Sequence, residues 1–134
     1  NLKINIMDLT SYGAISSDFP IIAQLSKLLK KIDRKEIEEV RLDCYPVTIS
    51  EKTREEIVNK FVTNGIDFPN TQEVFKPSKN YPSHRDGGGI SYFIPLEEGC
   101  FTIENVNYPI VPFVLYAFED SKLHNTDFGA IMLK

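Results

Sequence analysis

The sequence predicts an α+β, mainly β protein: a compact jelly-roll core braced by two or three N-terminal helices. Two stretches in the first half repeat apolar residues at helical spacing. From Gln72 onward the chain breaks instead into short β-rich runs separated by turn residues. The 134 residues form one domain, 1–134, long enough to bury a real core.

Each element follows from its local pattern. Residues 2–7 alternate apolar and polar side chains and read as a strand. Asp18 then precedes Phe19-Pro20, and Ile21, Ile22, Leu25, Leu28, Leu29 and Ile32 recur at helical spacing. Pro20 falls in the first turn, where its missing N–H costs little, and Lys27, Lys30 and Lys31 suit the negative end of the helix dipole. Residues 33–39 fit a further short helical turn. Residues 40–49 read as a strand interrupted by Pro46. Thr53-Arg54-Glu55-Glu56 has capping-box spacing and leads into Ile57, Val58, Phe61 and Val62, a second helix ended by Asn64-Gly65. Four strands follow, over residues 89–95, 99–105, 112–118 and 128–133. Their spacing suits a small antiparallel sandwich or barrel.

Composition narrows the function classes. A net charge of -4 gives no reason to expect a nucleic-acid partner. Lys76, Lys79 and Arg85 form a local basic cluster whose plainer reading is a solvated loop. Cys44 and Cys100 sit in apolar, strand-like stretches and read as free thiols in a reducing compartment. No stretch is long and apolar enough to span a membrane, and no basic-then-apolar leader opens the chain. The expectation is a soluble cytoplasmic protein without a membrane partner.

The chemistry concentrates in three residues. The chain has only two histidines, His84 in His84-Arg85-Asp86 and His124. In an extended segment the side chains of His84 and Asp86 point one way and Arg85 the other. Two neutral imidazoles and one carboxylate suit Fe(II), Mn(II) or Co(II) held on one face with positions left open. Either part alone is weak; His84, Asp86 and His124 stand or fall together as metal ligands. With a turn around Asn125-Thr126-Asp127, Phe128, Ala130, Met132 and Lys134 would share one inward face. A lysine there would be costly to bury unpaired, and a dicarboxylate would supply its partner. Taken alone, Lys134 is an ordinary charged residue. The same tripeptide with Asp127-Phe128-Gly129 spells protein-kinase signatures, but Ser91 stands where a kinase needs Asn.

His84, Asp86, His124 and a lysine ten residues beyond the second histidine resemble the 2-oxoglutarate/Fe(II)-dependent oxygenase superfamily, and the lysine makes the prolyl-hydroxylase-like members the nearest fit. The resemblance covers residues 81–134. It implies a double-stranded β-helix fold, Fe(II) as cofactor, and 2-oxoglutarate and O2 as cosubstrates. It implies that Lys134 holds the distal carboxylate of 2-oxoglutarate, helped by Tyr92, with Tyr81 and Thr102 as further candidates. The implied activity is a dioxygenase hydroxylating a protein side chain or a small molecule. Arg85, Lys79 and Tyr81 are the expected substrate rim, and the positive charge over residues 76–81 points weakly to an acidic or phosphate-bearing substrate. Two alternatives stand beside it: a cupin-like metal protein of other chemistry, disfavoured by the shortage of histidines, and a non-catalytic jelly-roll binding module.

Overall fold

The computed structural model describes residues 4–6, 8–31, 42–45, 49–77 and 81–134. The anticipated helical turn at 33–39, the Pro46 interruption and Lys79 lie outside them. Two helices and ten strands are described: β1 (Ile4–Ile6), β2 (Leu9–Ala14), α1 (Phe19–Lys31), β3 (Leu42–Tyr45), α2 (Glu51–Thr63), β4 (Gln72–Pro77), β5 (Ile90–Pro95), β6 (Gly99–Ile103), β7 (Val106–Ile110), β8 (Val114–Glu119), β9 (His124–Thr126) and β10 (Ala130–Leu133). The strands form two antiparallel sheets, one of order β1-β2-β8-β5-β10-β4-β3 and one of order β7-β6-β9. The architecture is mainly β and sandwich-like. No helix among the described residues is long and apolar enough to cross a membrane.

The large sheet is covered on both faces. Val74, Ile94, Leu115, Ile131 and Leu133 pack against Ile21 and Leu25 of α1 and Ile57 and Phe61 of α2. Their immediate neighbours Phe75, Phe93, Tyr116 and Ala130 point the other way, against Phe101, Ile103 and Ile110 of the small sheet. Successive residues of a strand alternate faces, so a strand buried on both sides reads as an unbroken apolar run. This is why 114–118 and 130–133 show no polar alternation in the sequence.

The two helices form where the spacing predicts, with one shift. Backbone N–H groups of Ile21 and Ile22 bond the Asp18 carbonyl at the start of α1. Helix α2 begins earlier than the capping-box reading: Ser50 is its N-cap, its hydroxyl accepting from Thr53 N at 3.3 Å, while the Ser50 N–H donates to Asp18 Oδ2 at 2.7 Å. Thr53 is instead buried inside the first turn. A tertiary carboxylate completes this cap, so the local motif named the wrong residue.

From β4 to β10 the chain is one long antiparallel hairpin folded over on itself. Its tip is the two-residue turn Glu104-Asn105, both at positive φ, 48° and 64°, which joins β6 to β7 in the manner of a type I′ turn. The residues read as the end of a strand are therefore the turn. Moving back from the tip, β6 pairs β7 in the small sheet, β5 pairs β8 in the large, His84 bridges His124 beside the small, and β4 pairs β10 in the large. Strand β7 escapes the sequence reading because Pro109 sits in it; as an edge strand it tolerates a residue without an N–H.

Candidate metal centre

His84 and His124 lie about equally far from the hairpin tip on opposite arms, and their backbones exchange two hydrogen bonds of 2.9 Å. This pairing brings the sequence-distant candidate ligands together. His84, Asp86 and His124 offer donor atoms that all lie within 4.8 Å of one another. His124 Nε2 is 3.4 Å from Asp86 Oδ2, and His84 Nε2 is 3.7 Å from Asp86 Oδ1. Two donors each about 2.1 Å from one metal stand roughly 3.0 to 3.4 Å apart, depending on geometry. A small contraction therefore closes the set on a metal.

The imidazoles are oriented for that task. His84 Nδ1 is 3.1 Å from the Pro82 carbonyl and His124 Nδ1 is 2.7 Å from the Lys122 carbonyl. A carbonyl only accepts, so each Nδ1 carries the proton and each Nε2 keeps its lone pair. Backbone carbonyls serve the usual outer role of fixing the tautomer of a ligand histidine. The His124 ring is further held against Phe101, with centroids 6.0 Å apart, and Phe118, at 4.7 Å.

Burial pushes the His124 imidazolium below its ordinary value of 6.5, reinforced by neighbouring His84 and opposed by the Lys122 carbonyl, Asp86 and Asp120. A lowered pKa means that the unfolded chain binds the proton more readily, so stability is present above 6.5 and is lost as pH falls from there through the folded value. Denaturant unfolding of metal-free protein from pH 7 downward is expected to show this loss, and His124→Asn should flatten it. Equal pH slopes for the two proteins would contradict the assignment.

The Asp86 carboxylate reaches the centre because the chain turns sharply after it. Gly88 and Gly89 have φ of +103° and +108°, a region that side chains rarely adopt, and an added Cβ at either would meet nothing within 4 Å. The cost of substitution is thus pure backbone strain. Gly88→Ala is expected to destabilise by about 1–3 kcal/mol, measurable by thermal or denaturant unfolding; a neutral effect would show that the turn relaxes freely.

The His84–Asp86–His124 group opens into a cavity of about 170 Å³. Phe75, Phe93, Phe101, Phe118, Phe128 and Met132 form its apolar walls, and Tyr81, Thr126, Glu73 and Lys134 supply polar groups. Tyr81 Oη lies 3.4 Å from His84 Nε2. Lys134 follows β10, and its backbone pairs with Thr71 through two bonds of 2.9 Å. Phe128, Met132 and Lys134 do face one side, as the sequence suggests. Lys134 is nevertheless exposed, so no burial penalty attaches to its ammonium. Asn125-Thr126 belongs to β9, and the turn lies just beyond it.

Other sequence candidates are placed elsewhere. Tyr92 points to the helix face of the large sheet, 4.7 Å from the Phe61 ring, because Phe93 takes the cavity side. Burial raises its phenol pKa, and it cannot reach the anchor region beside Lys134. Thr102 bonds Asn107 at 2.7 Å on the outer side of the small sheet. Arg85 is exposed and does not line the cavity. Lys76 is ion-paired with Glu97, whose carboxylate also accepts from Gly129 N at 2.7 Å, so it adds nothing to a basic rim. Cys100 is a free thiol. Sequence reasoning missed Thr126, which shares the face of His124 two residues earlier, and Glu73, which carries no local signal.

No protein family, curated protein or solved structure matches the chain. The functional reading therefore rests on the geometry of the site.

Proposed function

We propose that the protein is a non-haem Fe(II), 2-oxoglutarate-dependent dioxygenase that hydroxylates a protein side chain or a small molecule. The observation that carries this reading is that Lys134 opens onto the same cavity as His84, Asp86 and His124. A facial triad alone suits several divalent metals and chemistries. A cation in the same small cavity, with no carboxylate of the described residues within ion-pair distance, suits an acid that chelates the metal at one end and carries a second carboxylate at the other. The folded-over hairpin, with strand pairs falling alternately in the two sheets, supports a double-stranded β-helix.

In this reading Nε2 of His84, Nε2 of His124 and the Asp86 carboxylate hold Fe(II) from one side. Lys134 pairs with the distal carboxylate of 2-oxoglutarate, and the phenylalanine walls keep water from the reacting face. When bound, Fe(II) supplies the O2 chemistry: oxidative decarboxylation of 2-oxoglutarate to succinate and CO2, coupled to insertion of the other oxygen atom into a substrate C–H bond. Tyr81 lines the cavity beside His84, its hydroxyl 3.4 Å from His84 Nε2. In this reading Tyr81 forms part of the substrate rim, while Arg85, exposed and off the cavity wall, lies outside it. A reducing compartment such as the cytoplasm would keep both Fe(II) and the Cys100 thiol reduced.

The test is cosubstrate binding to protein loaded with Mn(II), which holds the site without redox turnover. Lys134→Ala is expected to weaken 2-oxoglutarate about 10- to 100-fold, the worth of one charge-assisted hydrogen bond, and to leave Mn(II) affinity unchanged. Equal 2-oxoglutarate affinity in the two proteins would remove Lys134 as the anchor.

A further inference from the structure

Between the paired arms, the chain crosses from the large sheet to the small one at two adjacent places. One arm makes this crossing from Ile90, paired with Glu119, to His84, paired with His124. The other makes it from Glu119 to His124. All three metal-binding side chains sit on or at the end of these crossings, and corners of this kind are where strands lose regular ladder bonds.

Asp120 occupies the corner. Its carbonyl accepts from Asp86 N at 2.8 Å, and its own N–H donates to Gly89 O at 3.1 Å. Its side-chain Oδ2 accepts from Ser91 Oγ at 2.9 Å. One residue thereby grips the first and last parts of the glycine turn that carries Asp86, and the first residues of β5 beyond it. Asp120 and Ser91 are both more than nine-tenths buried, at 8% and 2% exposure. The second carboxylate oxygen, Oδ1, has no hydrogen-bond partner. A buried, half-satisfied carboxylate is costly to retain, a cost that a merely structural corner could avoid with an apolar residue.

We infer that Asp120 is a positioning residue for the metal centre: its carboxylate, bonded to Ser91, holds in place the Asp120 main chain that bonds Asp86 and Gly89, and so fixes where the Asp86 carboxylate stands relative to the two imidazoles. Asp120 does not touch the metal. It acts through Asp86, which stands 3.4 and 3.7 Å from the imidazole nitrogens and is carried by the turn in which Gly88 and Gly89 hold φ of +103° and +108°. Outer residues of this kind change metal affinity about 10- to 100-fold when removed.

The inference rests on the triad being a metal site, and Co(II) titration followed by the visible d–d spectrum separates the two. Wild type is expected to bind one Co(II). Asp120→Ala should bind it about 10- to 100-fold more weakly, with a d–d band altered in position and intensity because the Asp86 carboxylate is displaced. Asp120→Asn keeps an oxygen for the Ser91 hydroxyl and should restore both affinity and spectrum. Ser91→Ala, which removes the same tether from the other side, should weaken binding in the same direction; it decides the matter if Asp120→Ala fails to fold. Wild-type affinity and spectrum in Asp120→Ala, or in Ser91→Ala where the former is unfolded, would overturn the positioning role while leaving the metal site intact. So would an Asn variant as impaired as the Ala variant, which would point to charge instead of position. Absence of Co(II) binding by wild type would overturn the metal site and this inference together.

Discussion

His124→Ala is expected to lower divalent-metal affinity by at least about 100-fold while the protein stays folded. Loss of outer contacts alone costs a metal site roughly 10- to 100-fold, and His124 is itself a donor. No other histidine can take its place, because the chain has only two. Its ring is 5% exposed and clamped by Phe101, Phe118 and the Lys122 carbonyl, so its lone pair is aimed before any metal arrives. The alanine variant leaves a small hole among aromatic rings and no unpaired charge. Competition against a chelating dye reads the affinity, and circular dichroism reads the fold. Retained affinity in a folded variant would mean that the metal, if any, is held elsewhere.

The second large effect is on the fold that carries the centre. Phe93 is 1% exposed and lies within 4.7 to 5.8 Å of the rings of Phe101, Tyr116, Phe118 and Phe128. It joins the two sheets directly beneath the cavity. Phe93→Ala is expected to cost about 3–5 kcal/mol, a large part of the roughly 5–15 kcal/mol by which a domain of this kind is stable. Denaturant unfolding monitored by circular dichroism measures it. A loss under about 1 kcal/mol would show that the two sheets are not joined through this ring.

The clustering of the three candidate metal residues was legible because their chemistry is scarce in this chain. Two histidines and one His-x-Asp spacing leave few combinations, and the period-two rule placed Arg85 outward without a structure. Period two along residues 128–134 put Lys134 on the face of Phe128 and Met132, but it could not show that Lys134 is exposed there and not buried. Tyr92 failed by one residue of register. Residues 92–96 are apolar or aromatic at every position, so nothing in them tells which face is which; the neighbouring Phe93 took the cavity. Strand β9 was hidden by its three-residue length and by Asn125 and Thr126, which look like turn residues. Asp120 looked like turn material too, since its grip on Asp86, Gly89 and Ser91 runs across the hairpin and leaves no mark in local sequence.

Several folds and chemistries place two histidines and a carboxylate around a metal; what the proposed function adds is Lys134, a residue lining the same cavity. The most direct measurement is therefore anaerobic mixing of the protein with Fe(II) and 2-oxoglutarate under a visible spectrophotometer. A metal-to-ligand charge-transfer band is expected only when both are present, lost in His84→Ala and requiring more 2-oxoglutarate in Lys134→Ala. No band from the folded wild-type protein, or the same band from His84→Ala, would contradict the assignment of this site to Fe(II) and 2-oxoglutarate.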